Sequence, residues 1–417
     1  MEHILFIEAT LTGAGLKAVQ IAKDKNLYVT LFTRQKHAYE TEEDTAKNIL
    51  FFVDRVIETD TNDVDKLCQE VRRLNEEKPV TAIITTADFY VPQAAAVAEM
   101  LHLPSIPYEA ALKVRNKFRM REELSRIAPE LNPAFFLVGT LSQAKEKAKL
   151  LNYPLILKPQ DENDSVDVLL IQSDEELEYH FLRVTSKPLN RAGQVKTAGG
   201  VLLEEYIGGQ EYSVETFQGA PNRPLQLMGI TRKYLLGTER GHFVEVGHCF
   251  PVNDHREKIF AAVSKALKGL GIHTSACHTE IKVVDGQPKI IEINPRLAGG
   301  GIGSHLIELA TEVNPLSLII DAARGLAPLW EASPHGGAAI YKLAAHRDGT
   351  IKTLPDLSLF DSDDVVEINI PLKRRQTVRL PKSNGDLLGY VITRAASADE
   401  ALDSARNLTG SISLDIE

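Results

Sequence analysis

The chain has 417 residues, more than one small core can use, so two or three domains are expected. Its 43% hydrophobic and 25% charged residues are those of an ordinary globular protein and exclude a disordered or fibrous chain. The formal net charge of -10 argues against a nucleic-acid partner, because phosphate backbones need basic surface, but leaves room for a local basic pocket.

In chain order, "HILFIEA" is a compact apolar run, "TLTGAG" a glycine turn, and "LKAVQIAKDKN" has helical spacing. "LYVTLFTR" and "AIITTADFYVPQAAAVAEML" repeat strand, loop and helix. This alternation predicts a parallel α/β layer over about 1–110. The turn lacks the full G-x-G-x-x-G, since Gly13 and Gly15 are followed by Leu16, Lys17 and Ala18. It reads as a structural strand-to-helix turn rather than a dinucleotide site. "KVRNKFRMREELSRI" reads as a charged helix, "PAFFLV" and "YPLILKP" as short strands with the helix "SQAKEKAKLL" between them, and "VLLEEYIGGQEYSVETF" as two strands joined at Gly208-Gly209. The helix "REKIFAAVSKALKGLG" leads into an acidic hairpin. The tail, about 330–417, holds short strands whose order the sequence does not give.

Cys68, Cys249 and Cys277 form no C-x-x-C pair, so neither a disulfide framework nor a zinc site is indicated. "MEHILFIEA" has no basic lead or cleavage pattern. No stretch approaches the roughly 20 apolar residues of a membrane span. A cytoplasmic protein without a membrane partner is expected.

The hairpin "HTEIKVVDGQPKIIEINPR" carries one glutamate in each of two apolar strands. With a three-residue loop at Asp285-Gly286-Gln287, Val284 faces Pro288 and Glu280 faces Glu292, with Cβ atoms about 4.5–5.5 Å apart. Asn294 then shares their face. Opposed like charges are destabilising unless a cation lies between them, and two carboxylates with an amide suit Mg²⁺, which completes its shell with water and phosphate. A two-residue Asp-Gly turn is the competing register and would send the glutamates to opposite faces. Beyond the acids, Arg296 offers a planar fork for an anion. The following glycines let backbone N–H groups approach it.

These residues resemble the ATP-grasp superfamily: "EINPRLAGG" is similar to its metal-binding strand and loop, and the upstream motifs occur in the family's order over roughly 80–325. Within it the chain is most similar to the L-amino-acid ligases. The resemblance implies an α/β ATP-grasp architecture: an N-terminal parallel α/β domain (1–112), a small α+β lid domain (113–205), and a larger antiparallel-sheet C-terminal lobe (206–417) with an extension from about 326. It implies ATP and Mg²⁺, with Mn²⁺ as a substitute. Lys117 and Lys158 would bind phosphates. Glu204 or Glu205 would accept from the adenine amine, and backbone groups of Tyr206 and Ile207 would meet the ring edge. Glu211 would hold the ribose. Glu280, Glu292 and Asn294 would ligate the metal. Arg296, Gly300 and Gly301 would hold an acyl phosphate and its oxyanion. The lid departs from the family pattern, with "QDENDSVDV" where glycines and small residues are expected. Ser165 would still touch phosphate, and the acids would face either a cationic substrate or water. The activity implied is ADP-forming ligation of a carboxylate to an amino-acid amine. Its partners would be small-molecule carboxylate and amino-acid substrates, with a homodimer as an option. Rival readings are another ATP-grasp carboxylase or purine-pathway ligase, an inactive nucleotide-binding regulator, and an NAD enzyme using the N-terminal layer.

Overall fold

The computed structural model describes residues 1–11, 13–40, 48–197, 199–357 and 362–417, so Thr12 of the glycine turn lies outside the described residues. The first four strands are β1 (His3–Ile7), β2 (Tyr28–Thr33), β3 (Arg55–Glu58) and β4 (Ala82–Ile84). They form a parallel sheet in the order β3-β2-β1-β4. Every residue of β1 is buried, as expected for a strand covered on both faces. Ile4 and Phe6 pack with Ala18, Val19 and Ala22 of helix α1 (Ala14–Asp24), while Leu5 and Ile7 pack with Leu67, Val71 and Val97 of α2 (Val64–Glu77) and α3 (Val91–Met100).

The charged run after this layer is not one helix. It divides at Asn116 into α4 (Tyr108–Arg115) and α5 (Lys117–Ile127). The Asn116 side chain caps α5 by accepting from the Arg119 N–H, satisfying one of the helix's free donors. The break makes Lys117 the first residue of α5 and turns it inward.

A four-stranded antiparallel sheet follows, ordered β5-β8-β6-β7. Its strands are β5 (Phe135–Val138), β6 (Leu155–Lys158), β7 (Leu169–Ile171) and β8 (Val201–Glu205). Helices α6 (Leu141–Leu151) and α7 (Asp174–Thr185) cover it. The two strands around Gly208-Gly209 are not a hairpin, because β8 completes this small sheet while β9 (Gln210–Gln218) enters the next one. A Cβ on Gly209, at φ +81, would lie 2.3 Å from the Val283 carbonyl, so the crossing itself requires glycine.

The large sheet has eight strands in the order β13-β12-β9-β10-β11-β14-β18-β16. They are β10 (Gln226–Leu236), β11 (Val244–Phe250), β12 (Ser275–Val284), β13 (Gln287–Asn294), β14 (Gly337–Leu343), β16 (Val365–Asn369) and β18 (Gly389–Ala395), with β9. β15 (Gly349–Thr353), β17 (Thr377–Val378) and β19 (Asp415–Ile416) form a small satellite sheet. Period-two alternation divides the large sheet's faces. Tyr212, Val214, Ile230, Cys249, Ile281, Ile293 and Ala339 pack against α4, α5, α8 (Arg256–Leu270) and α11 (Ala398–Ser411). The intervening residues, among them Glu211, Ser213, Glu280, Lys282 and Lys342, line a cavity. Helices α9 (Ile307–Thr311) and α10 (Pro315–Ala323) join this lobe to the N-terminal layer through Ile307, Leu316 and Ile320.

Gly229 of β10 tests this packing. A Cβ there would fall 2.1 Å from Phe250 Cε2 and 2.4 Å from its Cζ, and Phe250 is fully buried, with no room for its ring to swing away. Gly229→Ala is expected to cost about 1–3 kcal/mol, read as a lowered urea midpoint with an unchanged slope.

Candidate active site

The hairpin at the sheet's edge departs from the expected turn and keeps the expected pairing. Val284 pairs with Gln287 across a two-residue Asp285-Gly286 turn, in place of the three-residue loop. The ladder then shifts between Ile281, which faces Ile290, and Glu280, which faces Glu292. Ile291 is the extra residue. This β-bulge restores the opposition of the two glutamates that a regular ladder with this turn would destroy.

Arg121 of α5 holds the bulge. Its side chain is fully buried and uses all five N–H groups. Nε and Nη2 donate to Glu204 at 2.8 and 3.2 Å, Nη1 to Asn132 Oδ1 at 3.1 Å and Ile290 O at 2.7 Å, and Nη2 also to Ile291 O at 2.8 Å. Consecutive carbonyls of a regular strand point opposite ways. The bulge brings both to one guanidinium.

The cavity, of about 350 Å³, lies within the size range of small-molecule sites and brings most of the expected residues together. Lys117, Lys158, Ser165, Glu204, Glu205, Tyr206, Ile207, Glu211, Glu280, Glu292, Asn294, Arg296 and Gly300 all line it. Gly301 does not. It opens the short turn Ile302–Leu306 with φ +86 and packs toward Ile340.

Lys117 is buried, not a solvated helix charge, and donates to Glu162 O at 2.7 Å while pairing with Glu292 at 3.0 Å. Lys158 pairs with Glu204 at 2.8 Å, and burial lowers its pKa. Burial would raise the Glu204 carboxyl, but Arg121 and Lys158 outweigh it and hold it at about 2. Of the two hinge glutamates, Glu204 therefore points inward, with its carboxylate engaged by cations. Glu205 is exposed and accepts from the Ala134 N–H at 3.1 Å. Ile207 O accepts from Lys282 at 3.1 Å, and the Lys282 ammonium lies 5.3 Å from the centre of the Tyr206 ring.

Glu211 pairs with Lys233 at 2.8 Å and Lys282 at 3.8 Å. Lys233 also meets Glu245 at 2.8 Å and Glu280 at 3.2 Å. His278 bridges Glu215 at 2.6 Å and Glu280 at 3.3 Å. Burial would lower the His278 pKa, but the two carboxylates raise it to about 9. Glu280 is held at about 2, its burial penalty outweighed by Lys233 and His278.

Among the described residues no cluster of three or more His, Cys, Asp or Glu side chains is shaped to hold a metal by itself. The donor set here is two carboxylates and an amide, all oxygen and all facing the cavity, with Glu280 kept ionised. That set fits a hard divalent cation that takes further ligands from phosphate and water.

Arg296 donates to Asp88 at 2.9 Å and to Leu297 O at 2.9 Å. Burial opposes the Asp88 charge, but Arg296 and Arg115 hold its carboxyl well below the ordinary range. The acids of the loop after Lys158 find partners within the chain, while Glu162, Asp164 and Ser165 also line the cavity. Asp164 pairs with Arg191 at 2.8 Å, Asp167 with Lys187 at 2.6 Å and Arg183 at 3.4 Å, and Glu162 with Lys196 at 3.6 Å. Ser165 has φ +57 in this loop.

Asp88, Arg121, Lys233, Glu245, His248, Lys282 and Lys342 were not expected at the site. The signal available for several of them was a charged residue inside an apolar strand, as in "TRKYLL" and "FVEVGHCF".

Residues 21–105 match the ATP-grasp N-terminal domain, 151–304 the ATP-grasp domain and 342–417 the L-amino acid ligase C-terminal domain 2. The chain carries the domains of the ATP-grasp family, whose members use ATP and a divalent metal. Within that family it resembles the L-amino acid ligases, as its C-terminal match and its relatives agree. The crystal structure of the L-amino acid ligase from Bacillus licheniformis superposes with a TM-score of 0.81 at 23% identity, covering 100% of this chain and 99% of that one. The alanine–anticapsin ligase of Bacillus amyloliquefaciens is 28% identical over 248 residues, 56% of this chain and 52% of that protein. The chain thus spans about half the length of that relative. An uncharacterized protein of Sinorhizobium fredii, y4rH, is 24% identical over 353 residues, 83% of this chain and 70% of its own.

Two predictions follow from Arg121 and Glu204. Arg121→Lys offers three donors in place of five and leaves buried acceptors bare, so about 2–3 kcal/mol should be lost in urea unfolding. Glu204 has a folded pKa of about 2 against an ordinary 4.5, so its stabilisation is complete above pH 4.5 and disappears as pH falls toward 2. Melting curves of the parent and Glu204→Gln should therefore differ most near neutral pH and converge across that window.

Proposed function

We propose that the protein is an ATP-dependent carboxylate–amine ligase that joins the carboxylate of one amino acid, or a derivative, to the amine of a second, releasing ADP and phosphate. The observation that carries this is the convergence of Lys117, Lys158, Arg296 and the Glu280–Glu292–Asn294 face on one cavity. The L-amino acid ligase likeness of the C-terminal region supports the substrate class. The change from the small sheet at β8 to the large sheet at β9 supports a boundary near 205/206 in the division 1–112, 113–205 and 206–417. Among the described residues no helix is long and apolar enough to cross a membrane, in keeping with a cytoplasmic enzyme acting on small molecules.

In this reading a substrate carboxylate attacks the γ-phosphorus of ATP, the bond to ADP breaks, and an amine displaces phosphate from the acyl phosphate, losing a proton. Lys117 and Lys158 bring fixed positive charge to the transferring phosphoryl group, and exclusion of water strengthens its pull on the phosphate oxygens. Mg²⁺ bound at Glu280, Glu292 and Asn294 would supply further charge neutralisation on the phosphates. Arg296, fixed by Asp88, presents its guanidinium to the acyl phosphate, and Gly299 and Gly300 line the same cavity. Closure over the bound substrates would keep water from the activated carboxyl.

The test is phosphate release from ATP across pairs of the twenty L-amino acids, with product mass. Nucleotide binding without amino-acid-dependent release would instead identify a regulator. Glu292→Gln should lower the rate by about two to three decades while circular dichroism stays unchanged. Near-parental turnover by that variant would remove the metal role from Glu292.

A further inference from the structure

Lys342 on β14 stands apart from the other cations of the cavity. Lys233 has three carboxylates, Lys158 has Glu204, Lys117 has Glu292 and Arg296 has Asp88. Lys342 is half-buried in the cavity wall, and among the described residues no carboxylate lies within ion-pairing distance of its ammonium. Glu245 attracts it from farther away, but Oε1 of Glu245 is engaged by Lys233 at 2.8 Å, and its Oε2 lies 3.3 Å from His248 Nε2. Asp164 attracts it weakly and Lys233 repels it. The Lys342 ammonium abuts the glycine loop, 3.7 Å from where a Gly300 Cβ would stand. A charged group surrounded by protein without a counter-ion destabilises the chain that carries it, so its placement calls for an anion delivered by a ligand.

Resting on the ligase reading, we propose that Lys342 binds the free carboxylate of the amine-donating amino acid, the carboxylate that survives in the product. The reaction brings three kinds of anion to the cavity. The phosphates belong to Lys117, Lys158 and the Glu280–Glu292 face. The reacting carboxylate must lie beside the transferred phosphoryl group at Arg296. Lys342 on β14 stands beyond the Lys233–Glu245 pair from Glu280, beside the glycine loop, so it serves a third anion. Only the second amino acid's own carboxylate remains.

The test uses the amine substrate from the pair screen and its primary amide. The parent should favour the acid over the amide by about ten- to a hundredfold in kcat/KM, the value of one charge-assisted hydrogen bond. Lys342→Met keeps the stem's bulk and removes the charge. It should raise KM for the acid until acid and amide are used alike, leaving the amide and the KM for ATP unchanged. Its melting temperature should equal or exceed the parent's, because an unpaired ammonium has been removed, whereas a structural lysine would lose several degrees. An unchanged acid-to-amide ratio in an active variant, a raised KM for ATP, or a lowered melting temperature overturns the assignment while the ligase reading stands. A parent that releases phosphate with no amino-acid pair overturns the ligase reading and this assignment with it.

Discussion

The site depends on one buried guanidinium. Arg121 has five donors, and its acceptors come from three different places: the hinge carboxylate of Glu204, the Asn132 amide, and the carbonyls of Ile290 and Ile291. Removing a planar cation from water is costly unless every donor is satisfied, and here every donor is. One consequence is electrostatic: Glu204 stays ionised, so Lys158 keeps a counter-ion and a fixed position. The other is geometric. The bulge at Ile291 is held open, and only with the bulge does Glu292 oppose Glu280 behind a two-residue turn. Lys117 and Arg121 are four residues apart on one face of α5, so the helix that anchors the bulge also delivers the lysine that meets Glu292.

The alternation of strands and helices in the first hundred residues was legible because both faces of β1 are covered, leaving an unbroken apolar run. The shared face of Glu280, Glu292 and Asn294 was legible from period-two alternation, although through the wrong turn. Asp-Gly does form its favoured two-residue turn, and the pairing survives because of contacts to Arg121, about 170 positions earlier in the chain. No local pattern contains that information. Lys117 was obscured similarly. "KVRNKFRMREELSRI" has the charge density of a solvated helix, and only the cap at Asn116 shows that the chain turns there and buries its lysine. The tail strands could not be ordered because β14 and β18 are central in the large sheet while β15, β17 and β19 leave it.

The acidic loop after Lys158 resolves by a nonlocal match. Its carboxylates face Arg183, Lys187, Arg191 and Lys196, so they are neutralised within the chain before any phosphate approaches. The same basic segment also reaches the N-terminal layer: Ala192 O accepts from Arg34 at 2.7 Å and Asn62 at 3.2 Å, and Gln194 donates to Phe89 O at 3.3 Å. Acids where the family pattern expects glycine thus tie the loop, through residues 183–196, to the first domain. The exposed members of this set, such as Asp164–Arg191, are individually weak. Their effect is to fix where the loop lies over the cavity.

The cavity face of the large sheet carries Glu211, Glu215, Glu245 and Glu280 against Lys233, His278, Lys282 and Lys342. Glu292, on the same face, is paired by Lys117 from α5, and the rest balance by number, since His278, raised to about 9, is a cation at neutral pH. They do not balance in space. Lys233 takes three acids, and His278 takes Glu215 and shares Glu280 with it. The positive charge left over is concentrated at Lys342, beside Gly300. A sheet designed only for stability would have spread its pairs evenly or replaced the outlying lysine with an apolar residue. The imbalance sits where a ligand would meet it, at the glycine loop, and gives the two sides of one cavity different chemical tasks.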